Sequence, residues 1–125
     1  MHVLCKLGRL MIRDDQIANF QRGVIALVVL ALLRQKDMYG YELVPAMTAR
    51  SGGKLVTQEG SLYPVLYKLE DAGFVSGRRV LVGKRMTRIY YHLEPEGIQH
   101  LEKLEAEYRA VTGGVFRILE SKEDT

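Results

Sequence analysis

The sequence predicts a mainly helical α+β fold with one small β hairpin, and three observations lead there. Apolar residues recur at helical spacing in three stretches before Gly73 and in one after Pro95. Two runs rich in β-branched and aromatic residues, Phe74 to Val82 and Arg85 to Leu93, lie between them, separated by Gly83-Lys84. Glycine pairs and single prolines mark the breaks. A chain of 125 residues with 47% hydrophobic content suffices for one compact domain and a helical appendage.

The first helix is expected to be capped by Asp14 or Asp15 and to run through Ile17, Phe20, Val24, Leu27, Val28 and Ala31 to about Gln35. Its stretch from Gly23 to Leu33 is almost wholly apolar, so neighbours must surround it. That stretch is about half the ~20 residues a spanning helix needs, and it reads as a core helix. The second helix begins at Tyr39-Gly40-Tyr41-Glu42-Leu43-Val44 and stops near Ser51-Gly52-Gly53, with Pro45 expected to bend it. Thr57 is the expected N-cap of a third helix reaching Ala72. Its buried stripe is Leu62, Val65, Leu66 and Leu69. Gly60, Pro64, Tyr67, Lys68 and Asp71 stand opposite, with Ser61 and Tyr63 on the flanks. The last helix starts at Pro95 and carries Leu101, Leu104, Tyr108, Val111, Val115 and Ile118 at alternating intervals of three and four, a heptad seam.

The net charge of +3 is mild, but its distribution is uneven. Between Ser76 and His92 lie Arg78, Arg79, Lys84, Arg85 and Arg88 without an acidic residue, while the chain from Glu94 onward is net acidic. Such asymmetry points to one surface for a polyanion. The single Cys5 excludes an internal disulfide and fits a reducing, cytoplasmic setting. The apolar start, Val3 to Met11, is broken by Lys6 and Arg9 and lacks a small-residue cleavage site. Neither a secretory signal nor a membrane span is expected.

Two short helices joined by a glycine-containing turn, then a basic hairpin, make a winged helix-turn-helix. Residues 20–93 would form this DNA-binding domain. Residues 1–19 would be a partly helical segment available for dimer contact, and residues 94–125 a C-terminal dimerisation helix. The third helix would enter the major groove, where base edges present distinct hydrogen-bond patterns. The hairpin would place its cations on phosphates or in the minor groove. The expected DNA-binding residues are Ser61, Tyr63, Tyr67 and Lys68 on the third helix, Arg79, Lys84, Arg85 and Arg88 on the wing, and Tyr39 from the start of the second helix.

Over these residues the chain resembles the PadR family of bacterial regulators. The segment from Glu59-Gly60-Ser61-Leu62-Tyr63-Pro64 through Leu69-Glu70-Asp71-Ala72-Gly73 is similar to the family's Gly, small hydroxyl, Leu-Tyr-Pro, Leu-Glu and Gly pattern. Tyr39-Gly40-Tyr41-Glu42-Leu43 resembles the start of its second helix. Phe20-Gln21-Arg22-Gly23 and Arg88-Ile89-Tyr90-Tyr91-His92-Leu93 are similar more loosely. The resemblance implies a homodimer built through terminal helices, acting on double-stranded operator DNA as a repressor that a small-molecule effector releases. It resembles the compact branch, with a short final helix. The chain has no Trp, whereas the multidrug-sensing branch stacks planar drugs on a Trp of the last helix.

Other readings of the same residues are weaker. The winged helix would serve as a protein-interaction module if the acid-free wing were only a solvated edge. Tyr39, Tyr41, Tyr90 and Tyr91 suit helix packing better than ligand binding. His92 and His100 lack further ligands at metal-binding spacing, so no metal and no cofactor is expected. A lone thiol near a terminus, as Cys5 is, is more often inert than a redox sensor. Catalytic residues are not expected, because no nucleophile-base pair, phosphate-cradling loop or paired carboxylate is discernible.

Overall fold

The computed structural model describes residues 24–122. The expected cap at Asp14 or Asp15, the segment 1–19 and Cys5 lie outside them. Helix α1 occupies residues 24–35 of the described chain. Strand β1 is Met38–Tyr39, α2 is Gly40–Arg50 and α3 is Glu59–Asp71. Strands β2, Val75–Val82, and β3, Met86–Leu93, form the hairpin, and α4 runs from Pro95 to Glu120. The fold is α+β, with a three-stranded antiparallel sheet in the order β1-β3-β2.

Three local readings need correction. Met38 and Tyr39 pair with Tyr91 and Tyr90 before α2 begins, so the sheet has a third strand that the periodicity did not reveal. Two residues are too few to show alternation. Helix α3 starts later than a Thr57 cap requires. Gln58 is its N-cap in extended conformation without a side-chain hydrogen bond, while Thr57 is buried. Finally, Arg85 belongs to the turn rather than to a strand, because Val82 pairs with Met86. Gly83 at φ 71° takes the left-handed conformation that starts this turn.

The core collects one face from each element. Ile25, Val29, Leu30, Leu32 and Leu33 of α1 meet Leu43 and Met47 of α2, Leu62, Leu66 and Leu69 of α3, and Val75, Tyr91 and Leu93 of the hairpin. Ala26, Leu27, Val28 and Ala31 are half-buried and pack partly against this core. Pro45 and Pro64 both sit inside continuous helices, on exposed positions. Gly73, at φ 80°, ends α3. Its N–H donates to the Glu70 carbonyl, and Phe74 N–H donates to that of Leu69 at 2.9 Å.

Among the described residues, helix α4 is anchored at its start. Its N-cap Glu94 has no side-chain capping bond, and Pro95 follows at the helix start. The Glu94 N–H donates to the Phe74 carbonyl at 3.0 Å, and Ser76 Oγ donates to the Glu94 carboxylate. A side chain on Gly97 would collide with that same Phe74 carbonyl and with Leu93. Gly97 and Leu101 are the buried residues of this helix, and Leu104 packs partly against the core.

Two outcomes follow from this packing. Gly97→Ala should push α4 off Phe74 and lower stability by about 1–3 kcal/mol. An unchanged urea midpoint would show that the contact is looser than described. Tyr91 is 2% exposed. Burial, and then the Glu70 carboxylate, push its hydroxyl up to about 12. The neutral phenol is therefore the folded form, and its contribution is complete below the ordinary value of 10.0 and lost as pH rises through about 12. Each unit of displacement corresponds to about 1.4 kcal/mol. Denaturant midpoints between these two pH values should fall more steeply for the native chain than for Tyr91→Phe, and parallel curves would contradict the assignment.

Candidate nucleic-acid interface

Helix α3 builds the first part of the surface. Its buried Leu62, Leu66 and Leu69 hold one side against the core, which turns Gly60, Pro64, Tyr67, Lys68 and Asp71 outward. Ser61 and Tyr63 are half-buried on the flanks, as helical spacing predicts. Tyr67 is 54% exposed, and Lys68 lies beside it in the last turn. The strip and its Ser61 flank offer a phenol hydroxyl, an aliphatic hydroxyl and an ammonium, groups that suit base edges and phosphates alike.

Tyr63 has a second role that spacing did not reveal. Its ring lies over Gly40, the first residue of α2, so closely that any side chain at Gly40 would overlap it. The same ring is 6.0 Å from that of Tyr67. Burial raises the Tyr63 hydroxyl above its ordinary value, with smaller contributions from Tyr41, Glu59 and Tyr67. It is a neutral donor that also sets the spacing between α2 and α3. The Gly in Tyr39-Gly40-Tyr41 was the signal for such a close approach.

The wing supplies the second part. Arg79, Lys84 and Arg85 are exposed, and Arg88 is half-buried. The Arg88 guanidinium sits 4.4 Å from the centre of the Tyr39 ring, which packs edge-on against Tyr90 at 5.3 Å. Tyr39 is thus engaged within the chain by an aromatic neighbour and a cation. Tyr41, expected to serve packing, is instead 62% exposed.

The hairpin is also less free of acid in space than in sequence. Asp37, from the loop after α1, approaches Arg78 at 3.7 Å and accepts or shares a hydrogen bond with His92 Nδ1 at 2.8 Å. His100 stacks on Phe74 with ring centres 4.1 Å apart. Among the described residues no group of three or more His, Cys, Asp or Glu is placed to hold a metal ion, and no helix is long and apolar enough to cross a membrane.

Between the start of α2, Tyr63 and strand β3 lies an open cleft of about 540 Å³, lined by Tyr39, Gly40, Tyr41, Tyr63 and the β3 residues Met86 to Ile89 and Tyr91. It runs along the part of β3 that β1 is too short to cover.

The seam residues divide. Leu101 is taken into its own domain's core and Leu104 is half-buried against it, so neither is the free apolar surface that a heptad pattern suggests. The reason is that the first turns of α4 must cover Phe74 and Leu93. Tyr108, Val111, Val115 and Ile118 are exposed, and so are Phe116 and Leu119, which the heptad reading missed. A straight helix drifts about 20° per heptad, so Ile118 and Leu119 flank the line of Tyr108, Val111 and Val115 on opposite sides.

Residues 29–103 match the transcriptional regulator PadR-like family. An uncharacterized protein of Lysinibacillus sphaericus is 30% identical over 101 residues, which is 81% of this chain and 89% of that one. The negative transcriptional regulator PadR of Bacillus subtilis is 30% identical over 78 residues, 62% of this chain but 43% of that protein. The chain thus spans less than half of that regulator. A crystal structure of a PadR family transcriptional regulator from Eggerthella lenta superposes with a TM-score of 0.78 at 27% identity, covering 93% of this chain and 99% of the other. The crystal structure of Bacillus subtilis PadR in complex with operator DNA gives 0.61 at 28% identity, covering 65% and 46%. The matched segment contains α2, α3, the whole wing and the anchored start of α4, and this chain belongs to the PadR-like family of transcriptional regulators, proteins that are not enzymes.

Proposed function

We propose that the protein is a repressor that binds a pseudo-palindromic operator as a homodimer and is released by a small-molecule effector. The observation that carries the DNA-binding part is the exposed outward strip of α3, Tyr67 and Lys68 above all, together with the exposed wing cations Arg79, Lys84 and Arg85. In this reading α3 lies in the major groove, with Ser61, Tyr63, Tyr67 and Lys68 reaching base edges or phosphates. The wing lies along the neighbouring phosphates and minor groove. Repression is supported by the name of the Bacillus subtilis relative, a negative regulator. The regulator acts in the cytoplasm, where its operator is.

The dimer reading rests on α4. Past Leu104 it exposes Tyr108, Val111, Val115, Phe116, Ile118 and Leu119. An apolar stripe of this length calls for a partner helix, and a second copy of the same chain supplies the same stripe. Two recognition helices would then meet half-sites roughly 34–36 Å apart. An effector acts by binding one separation of those helices better than another.

Removing the side chains of Tyr67 and Lys68 by alanine substitution should leave the fold intact, since both face outward. Each lost base contact should weaken operator binding by about 1–3 kcal/mol. The measurement is fluorescence anisotropy on a duplex carrying the upstream region of the protein's own gene. Wild-type affinity in both variants would remove α3 as the reader and leave a protein-interaction module. The dimer is tested separately. Val111→Asp with Val115→Asp places charges in the stripe without touching the core, and should give a folded monomer in sedimentation. A native chain that is already monomeric at micromolar concentration would end the dimer reading.

A further inference from the structure

The wing has two faces, and strand register decides which residues each carries. Side chains alternate along a strand, and directly paired residues of an antiparallel ladder share a face. Val75 pairs with Leu93, Gly77 with Tyr91, Arg79 with Ile89 and Leu81 with Thr87. On this face Val75, Leu93 and Tyr91 are core residues. Helix α3 is packed on the same face, because its Leu62, Leu66 and Leu69 share the core with Val75, Tyr91 and Leu93, and a side chain at Gly77 would meet Glu70. The outward strip of α3 therefore lies still farther out on that side of the sheet. A duplex resting on the strip has Arg79, Leu81, Thr87 and Ile89 turned toward it.

The opposite face carries Arg78 paired with Tyr90, Val80 with Arg88 and Val82 with Met86. Its cations are already engaged. Arg88 covers the Tyr39 ring, and Arg78 faces Asp37, which also holds His92. Both contacts tie the hairpin to the segment between α1 and α2.

We infer that Arg79 and Leu81 form the DNA-touching face of the wing, whereas Arg88 and Arg78 are positioning residues that brace the hairpin from behind. This rests on the DNA-binding reading above and divides the wing cations within it. Leu81 is 67% exposed and Ile89 is 41% exposed, beside Arg79 on the same face. A cation flanked by apolar side chains matches a minor groove, where phosphates line the rims and sugars form apolar walls.

The test is a salt series in fluorescence anisotropy on a scrambled-sequence duplex, with folding of each variant checked by circular dichroism. Arg79→Gln should make the slope of log affinity against log salt shallower by about 0.9. Leu81→Ala should weaken binding equally at every salt concentration. Arg88→Gln should keep the native slope but shift the line, by about two- to fivefold in affinity, as the brace is lost. Arg88→Lys, which keeps a cation over Tyr39, should restore it, and Arg78→Gln should also keep the native slope. A slope reduced by Arg88→Gln or Arg78→Gln as much as by Arg79→Gln overturns the assignment of faces. So does an Arg79→Gln line that superposes on the native one. A native chain without salt-dependent binding to any duplex overturns instead the DNA-binding reading, and this inference with it.

Discussion

Strand β3 is paired on both sides, with β2 along its full length and with β1 at Tyr90 and Tyr91. Its register governs what every other element presents. A slip of one residue would carry Tyr91 and Leu93 to the open face and bring Tyr90 and His92 into the core. Burying Leu93 alone contributes about 2 kcal/mol, and Tyr91 fills the centre of the molecule, so the slip is heavily disfavoured. With that register set, Leu93 and the Phe74 carbonyl form the seat on which Gly97 places α4. Gly77 is brought beneath Glu70, and this joins the end of α3 to the root of the wing. Helix, hairpin and appendage are thus referenced to one strand.

The same constraint separates structural from surface chemistry in a region crowded with cations. Five basic residues in the hairpin are chemically alike, yet the ladder divides Arg79 from Arg78 and Arg88, and the turn separates Lys84 and Arg85 from all three. Asp37 is remote in sequence and becomes a neighbour only because β1 pairs with β3. A guanidinium over an aromatic ring and another facing a carboxylate lose freedom relative to an unpaired one. They are correspondingly less available to phosphate.

The winged-helix architecture was legible in the sequence because its signals are local. The α3 stripe at Leu62, Leu66 and Leu69, the glycine after it and the β-branched hairpin are each readable within a short window, and each stands where the periodicity places it. Strand β1 was not legible, because two residues carry no alternation. The Thr57 cap failed for a different reason: its propensity is genuine, but the loop turns Thr57 inward and the helix starts beyond it. Leu101 misled in the opposite direction. Its spacing belongs to the stripe, yet the close approach at Gly97 brings the first turns of α4 onto the domain and buries it. Spacing identifies a face but not what covers it.

Charge and length explain why, in the dimeric reading, the appendage is a helix rather than a flexible linker. The net charge is only +3, and the exposed wing cations are few, so one domain alone makes a small number of phosphate contacts. Joining two domains turns the second binding event into an intramolecular one, but only if the join holds both recognition helices at the spacing of the half-sites. Helix α4, 26 residues long, spans roughly 39 Å at 1.5 Å per residue. Its first turns are fixed to the domain through Gly97 and Leu101, and the remainder presents an apolar stripe. Paired with its copy, a rod seated in this way transmits the geometry of the seam to the α3 helices. A change in how two such stripes pack alters their separation.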